Sequence, residues 1–168
     1  MGAPLPRDPI ADARRNWERN GWADVAAPMA AITAIMRTQQ ILIGRIEDVL
    51  KPLGLTFARY EMLALLSFAR TGALPMSKAS ALLQVHPTSV TNAVDRLEGA
   101  GYVTRTPHPT DGRTTLIELT DSGRALAEKA TVALNAEVFG RSGFTGEDVE
   151  ALLRILGDFR REAGDFTE

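Results

Sequence analysis

Apolar positions recur at three- and four-residue spacing over most of the chain and give way, between residues 102 and 119, to two short β-branched runs. This pattern predicts a series of helices interrupted by one hairpin. Asp8-Pro9 supplies an N-cap acceptor followed by proline at the first helical position. Ile10, Ala13 and Trp17 then share a face, and Gly21 ends the segment. Pro28 is expected to open a longer helix with the stripe Ile32, Ile35, Met36, Leu42, Ile43, Ile46, Val49 and Leu50, stopped at Lys51-Pro52. Such a helix is roughly 35 Å long, enough in a small protein to serve a partner subunit.

Thr56 caps a third helix bearing Phe57, Tyr60, Leu63, Leu65, Leu66 and Phe68, and residues 71–75 read as a connecting loop. Ser77 is placed to cap a short helix with Ala79, Leu82 and Leu83, followed by a tight turn at Gln84-Val85-His86. Pro87 then starts a helix that runs to Gly99, with Gly101 as its stop. Two strands, 102–106 and 114–119, flank the turn-rich loop 107–113. Thr120 or Asp121 caps a long helix to about Phe139, and Thr145-Gly146-Glu147-Asp148 resembles a capping box for a last one. The order is that of a winged helix-turn-helix spanning residues 76–120: mainly α, with a small β-hairpin wing.

Length and composition fit this reading. The 168 residues suit one compact domain or a small domain with helical extensions, and 45% apolar with 24% charged residues is ordinary for a soluble protein. No apolar run approaches a membrane span, so no membrane partner is expected. The first fifteen residues, with Pro4, Pro6, Pro9, Asp8 and Asp12, lack the apolar centre of a signal peptide. Cysteine is absent, which excludes disulfides and thiolate sites and points to a reducing cytoplasm. The net charge of −2 runs against phosphate binding taken as a sum, so acidic residues are expected to cluster away from a DNA face.

The helix 87–99 carries the candidate chemistry. Val90, Val94 and Leu97 form a narrow core-facing stripe, while Thr88, Ser89, Thr91 and Asn92 are short hydrogen-bonding residues on the half that enters a major groove in helix-turn-helix proteins. Threonine methyls match thymine methyls, and Asn92 has the fork that pairs with adenine. The alternative is plain surface decoration, but a solvent face built for stability favours Glu, Lys, Arg or Ala over these weak helix formers. In the wing loop, Arg113 beside Asp111 and Gly112 is placed to enter a minor groove or hold phosphate, with Asp111 steadying the arginine or the turn. Alone, this pair reads better as a surface salt bridge of little consequence; its place one hairpin after a candidate recognition helix turns the reading to DNA contact.

Two other classes compete with DNA binding. His86 and His108 are the only histidines, each next to proline, and no nucleophile elbow, phosphate loop or zinc-helix motif occurs. No catalytic residue, cofactor or metal ligand is therefore expected. A winged-helix module that binds only protein, with no effector, remains open; it could dispense with Arg113 and Asn92.

Asp111-Gly112-Arg113, five residues, then Leu119-Thr120-Asp121-Ser122-Gly123 resembles the wing signature of the MarR family of winged-helix regulators. Val94-Asp95-Arg96-Leu97-Glu98, Gly101-Tyr102-Val103 and Arg105 match the family's recognition-helix exit and first wing strand, and the helix order outside residues 55–123 agrees. The resemblance implies an added helix and a long dimerisation helix in residues 1–54, a DNA-binding lobe in 55–120 and dimerisation helices in 121–168. It implies a homodimer that grips double-stranded DNA at half-sites about 10 bp apart. Ser77, His86, Pro87, Thr88, Ser89, Thr91, Asn92, Arg96, Asp111 and Arg113 would face the DNA. Repression relieved by a small molecule is the family's commoner behaviour.

The N-terminal segment further resembles the subgroup that answers urate and related organic anions, with Trp17, Glu61 and Arg105 at the ligand positions. Glu61 stands where that subgroup has aspartate, and Asn92 or Ala93 where some members have arginine, so a urate-like or a carboxylate effector both fit. Trp17 could equally anchor the added helix to the core, and Glu61 with Arg105 could be a structural ion pair.

Overall fold

In the computed structural model, which describes residues 4–83, 87–111 and 113–167, Asp8 accepts the Ile10 N–H at 2.9 Å. Pro9 follows, and α1 (Pro9–Arg19) starts where the sequence places it. The chain divides into two compact units, residues 1–60 and 61–168.

In the first unit α1 packs on α2 (Ala23–Leu50). Pro28 does not open α2 as expected but lies inside it. Proline removes a single helical N–H, and one turn has already formed ahead of it. That turn is held by the edge-on contact of Trp17 with Trp22, ring centroids 5.4 Å apart, and by the complete burial of Ala26. Over its 28 residues α2 is roughly 42 Å long. Its apolar stripe is divided: Ile46 and Leu50 are buried, whereas Ile32, Ile35 and Met36 are more than half exposed. A 3-10 turn over Lys51–Leu53 and Gly54, at a left-handed φ of 69°, ends the run.

Thr56 Oγ1 accepts the Arg59 N–H at 3.4 Å at the head of α3 (Phe57–Phe68). In the second unit the segment expected as a loop contains a strand, β1 (Ala73–Pro75). It leads directly into α4 (Met76–Leu83), so Ser77 lies within the first turn of that helix and does not cap it. Then follow α5 (Pro87–Gly99), β2 (Val103–Pro107), β3 (Thr115–Leu119), α6 (Asp121–Glu137) and α7 (Gly146–Glu162). The expected turn at Gln84, Val85 and His86 lies outside the described residues.

The wing is a three-stranded antiparallel sheet of order β1-β3-β2, one strand more than expected. Leu74 pairs with Ile117, and Ile117 with Arg105 on the other side. Pro75 is tolerated because β1 is an edge strand. Val90, Val94, Leu97, Val103 and Ile117 are almost fully buried, and α5 packs on β2 and α4. Thr120 Oγ1 accepts the Gly123 N–H at 3.0 Å to cap α6, and Thr145 with Asp148 completes the capping box on α7. Among the described residues no helix is long and apolar enough to cross a membrane, and no cluster suited to a metal ion occurs.

Candidate nucleic-acid interface

The two sides of α5 differ in kind. Val90, Ala93, Val94 and Leu97 are buried, and Thr88, Ser89, Thr91, Asn92 and Arg96 are exposed. Pro87 opens the helix with the fixed φ that a first turn needs, so the short polar residues fall in its N-terminal half. Gly101 reverses the chain at φ 76°, and Tyr102 donates its N–H to the Leu97 carbonyl at 2.9 Å, which sends β2 back along the helix. His86 falls outside the described residues.

The wing tip is organised by Asp111. Its Oδ1 accepts the Arg113 N–H at 3.1 Å and its Oδ2 accepts the Thr114 hydroxyl at 2.7 Å. The Thr114 hydroxyl and then the Arg113 N–H hold this carboxyl below the usual aspartate range. Asp111 thus steadies the turn; among the described residues it forms no ion pair with Arg113, whose side chain is exposed. Ser77 and Ser80 of α4, Thr91 of α5, Arg105 of β2 and Arg113 line one open cleft of about 560 Å³. Three of the candidate DNA-facing residues, Ser77, Thr91 and Arg113, are therefore neighbours.

The base of the wing is tied to α6 through Thr120. Its hydroxyl lies 2.9 Å from the Gly101 carbonyl and 3.0 Å from that of Tyr102, and its N–H donates to Tyr102 at 3.2 Å. A Cβ on Gly123 would collide with the Tyr102 carbonyl oxygen. The Leu-Thr-x-x-Gly run is therefore needed where helix exit, strand and α6 converge.

The three candidate ligand residues are distributed over both units. Trp17, in the first, is half-buried against Trp22. Glu61, in the second, is half-buried, and desolvation pushes its carboxyl above the ordinary glutamate value. The ion pair considered for Glu61 and Arg105 does not form among the described residues. Arg105 instead binds Glu98 through Nη1 and Asp95 through Nη2, the latter at 2.5 Å. Partial burial would lower the guanidinium pKa, and the hydrogen bonds to Asp95 and Glu98 more than reverse this, leaving it raised.

Sequence reasoning passed over Asp95 and Glu98 as partners. Their i,i+3 spacing on α5 was visible, but the strand that returns Arg105 to that face was needed to see the pair close. Nor do the acids cluster away from the reading elements as the net charge suggested. Asp95, Glu98 and Asp111 lie on α5 and the wing, each engaged by a hydrogen-bond donor.

Comparison with known proteins adds a family. The profile described as the MarR family matches residues 57–115. Sco5413, a MarR family transcriptional regulator from Streptomyces coelicolor, is 51% identical with a TM-score of 0.76, over 84% of this chain and 99% of that one. An uncharacterized HTH-type transcriptional regulator of Mycobacterium bovis is 30% identical over 132 residues, 79% of this chain and 83% of its own. The transcriptional repressor CouR, solved bound to a 23-mer DNA duplex, is 28% identical with a TM-score of 0.69, over 76% of this chain and 90% of its own.

Proposed function

The chain belongs to the MarR family of DNA-binding transcriptional regulators, and on that premise we propose that it acts in the cytoplasm as a homodimeric repressor, released from a pseudo-palindromic operator by a small anionic or aromatic metabolite. The observation that carries this reading is α5: Thr88, Ser89, Thr91 and Asn92 stand exposed on a helix whose opposite side is locked into the core by Val90, Val94 and Leu97. A helix so anchored can present Asn92 to adenine and the threonine methyls to thymine without reorganising. Pro87 and His86 would also face the DNA, Ser77 and Arg96 would contact phosphate, and Arg113 on its Asp111-braced turn would reach the minor groove or its phosphates.

A homodimer gives the exposed apolar residues a place to bury. Ile32, Ile35 and Met36 on α2 and Leu153, Ile155 and Phe159 on α7 are each more than half exposed. Such patches mark association surfaces. Two lobes in one dimer would meet half-sites about 10 bp apart.

For the effector, Trp17 offers a ring to stack on and Arg105 a cation, with Glu61 as a hydrogen-bonding partner. Glu61 has a raised pKa, so its neutral form, able to donate, is favoured more than in an ordinary glutamate. An anion that engages Arg105 competes with Asp95 and Glu98, and it releases DNA only by its differential affinity for the non-binding state. The test is a gel shift with the full-length protein and the DNA flanking its own gene, challenged in turn with urate, xanthine, citrate and aconitate. A shift abolished by one of these at constant ionic strength supports the reading and names the effector class. A shift that persists against all four removes the effector assignment while leaving the DNA-binding one, and no shift on any flanking fragment removes autoregulation.

A further inference from the structure

We propose that Arg105, Asp95 and Glu98 act as positioning residues: they clamp the recognition helix to the wing at a fixed angle, without contacting DNA themselves. This rests on α5 being the element that reads DNA. The helix and β2 are joined only by Ala100, Gly101 and Tyr102, and Gly101 adopts a left-handed φ of 76°. Backbone hydrogen bonds from Tyr102 to Leu97 and from Thr120 to Tyr102 hold this corner, and Val90, Val94 and Leu97 seat the helix on the core. The remaining freedom is a small tilt of α5 about its packed face, which side chains bridging to β2 can remove.

The clamp closes that corner at three points. Glu98 accepts the Arg105 backbone N–H at 3.1 Å and also binds its guanidinium, so one carboxylate holds both ends of the same residue. Asp95 takes the other guanidinium nitrogen at 2.5 Å, one helical turn closer to Asn92. The two acids thus grip α5 across a full turn, and a rigid arginine fork spans them. Arg105 is itself fixed by its register opposite the fully buried Ile117.

Energetics and charge both argue that this arrangement is for orientation. The side chains of Asp95 and Glu98 are 55% and 38% exposed, and ion pairs this wet add little to stability. Two carboxylates on the helix that must approach phosphate also repel DNA. Charge alone therefore predicts that neutralising them strengthens DNA binding. The clamp predicts the opposite for the cognate site, because a helix that can tilt slightly about its packed face no longer holds Asn92 and the threonines in register with base edges.

The experiment uses this difference of sign. Fluorescence anisotropy is measured for the full-length protein and for the isosteric double variant Asp95→Asn/Glu98→Gln, against an operator selected from random DNA and against a scrambled duplex, over a salt series. With the clamp, the double variant loses about tenfold or more in operator affinity. It binds the scrambled duplex as well as or better than the wild type, and its melting temperature changes little. Arg105→Lys, which keeps the charge and one donor, is expected to recover part of the preference that Arg105→Gln loses. The slope of log affinity against log salt is expected to be the same in both as in the wild type, since no phosphate contact is removed. A double variant that binds the operator as tightly as the wild type, with its sequence preference intact, overturns the clamp. A salt slope reduced by about one in Arg105→Gln also overturns it, by making Arg105 a phosphate contact. A wild type that selects no sequence at all overturns the DNA-reading premise, a result distinct from either of these.

Discussion

The carboxylate of Asp111 accepts the backbone N–H of Arg113 at 3.1 Å and leaves the arginine side chain exposed at the tip of the wing. The acid thus organises the turn from which the arginine projects. The two residues should therefore fail differently. Arg113→Ala is expected to weaken binding on all DNA sequences to a similar degree and to lower the salt slope by about one. Asp111→Ala is expected to weaken binding less and to leave the salt slope near that of the wild type, because the cation survives on a looser loop. Anisotropy titrations at several salt concentrations separate the two, and equal losses with equal slopes would contradict this division of labour.

The same loop should respond to acid. Hydrogen bonds from Thr114 and Arg113 hold the Asp111 carboxyl below its ordinary range, so its folded pKa lies below its unfolded one. The ordering it provides is present above the unfolded value and is lost as pH falls through the folded one. Amide exchange at Arg113, whose N–H the carboxylate accepts, followed by NMR down a pH series, should show protection that collapses at low pH in the wild type and is already absent in Asp111→Ala. The Thr114 amide, bonded to the Asp111 backbone carbonyl at 3.0 Å, should respond less. Protection of the Arg113 amide that is the same in the variant as in the wild type would contradict the Asp111 carboxylate as its source.

Glu61 has the opposite sign. Burial raises its pKa, so ionisation opposes folding; the penalty is absent below the unfolded pKa and sets in as pH rises through the folded one. Glu61→Gln should therefore raise the melting temperature at pH 7 by about 1–3 °C and have little effect near pH 4. Calorimetry at the two pH values checks this. A destabilised Glu61→Gln at pH 7 would mean that the ionised carboxylate has a stabilising partner, such as a residue of a second subunit.

At Gly123 a Cβ would run into the Tyr102 carbonyl oxygen, which is backbone and cannot turn aside. Gly123→Ala should destabilise the protein by about 1–3 kcal/mol and loosen the junction between wing and α6. Ala at half-buried Gly157, where a Cβ meets nothing within 4 Å, should be tolerated or mildly stabilising in the middle of α7. Thermal melts of the two variants give the comparison, and equal behaviour would contradict the close approach at Gly123.

Much of this was legible in the residues, and what was not has identifiable causes. Caps and breakers gave α1, α5, α6 and α7 nearly to the residue, because Asp8, Pro9, Pro87, Gly101, Thr120 and Thr145 act locally. Pro28 misplaced the start of α2, since tryptophan packing outweighed a local rule. β1 was missed because three residues ending in proline carry no strand signal, and only its partner β3 makes it one. The exposed polar side of α5 could be read from spacing alone, whereas the clamp on Arg105 depends on a chain reversal that brings residues 95, 98 and 105 together.

The central claim is that α5 reads DNA sequence, with Asn92 among the residues that touch bases, and selection from random duplex DNA by the full-length wild type and by Asn92→Ala tests it most directly. The wild type should enrich a pseudo-palindrome with half-sites about 10 bp apart, and Asn92→Ala should lose preference at one position in each half-site, worth about 1–3 kcal/mol of discrimination, while keeping the rest of the consensus. A wild-type pool with no enriched sequence, or an identical consensus from both proteins, would contradict it.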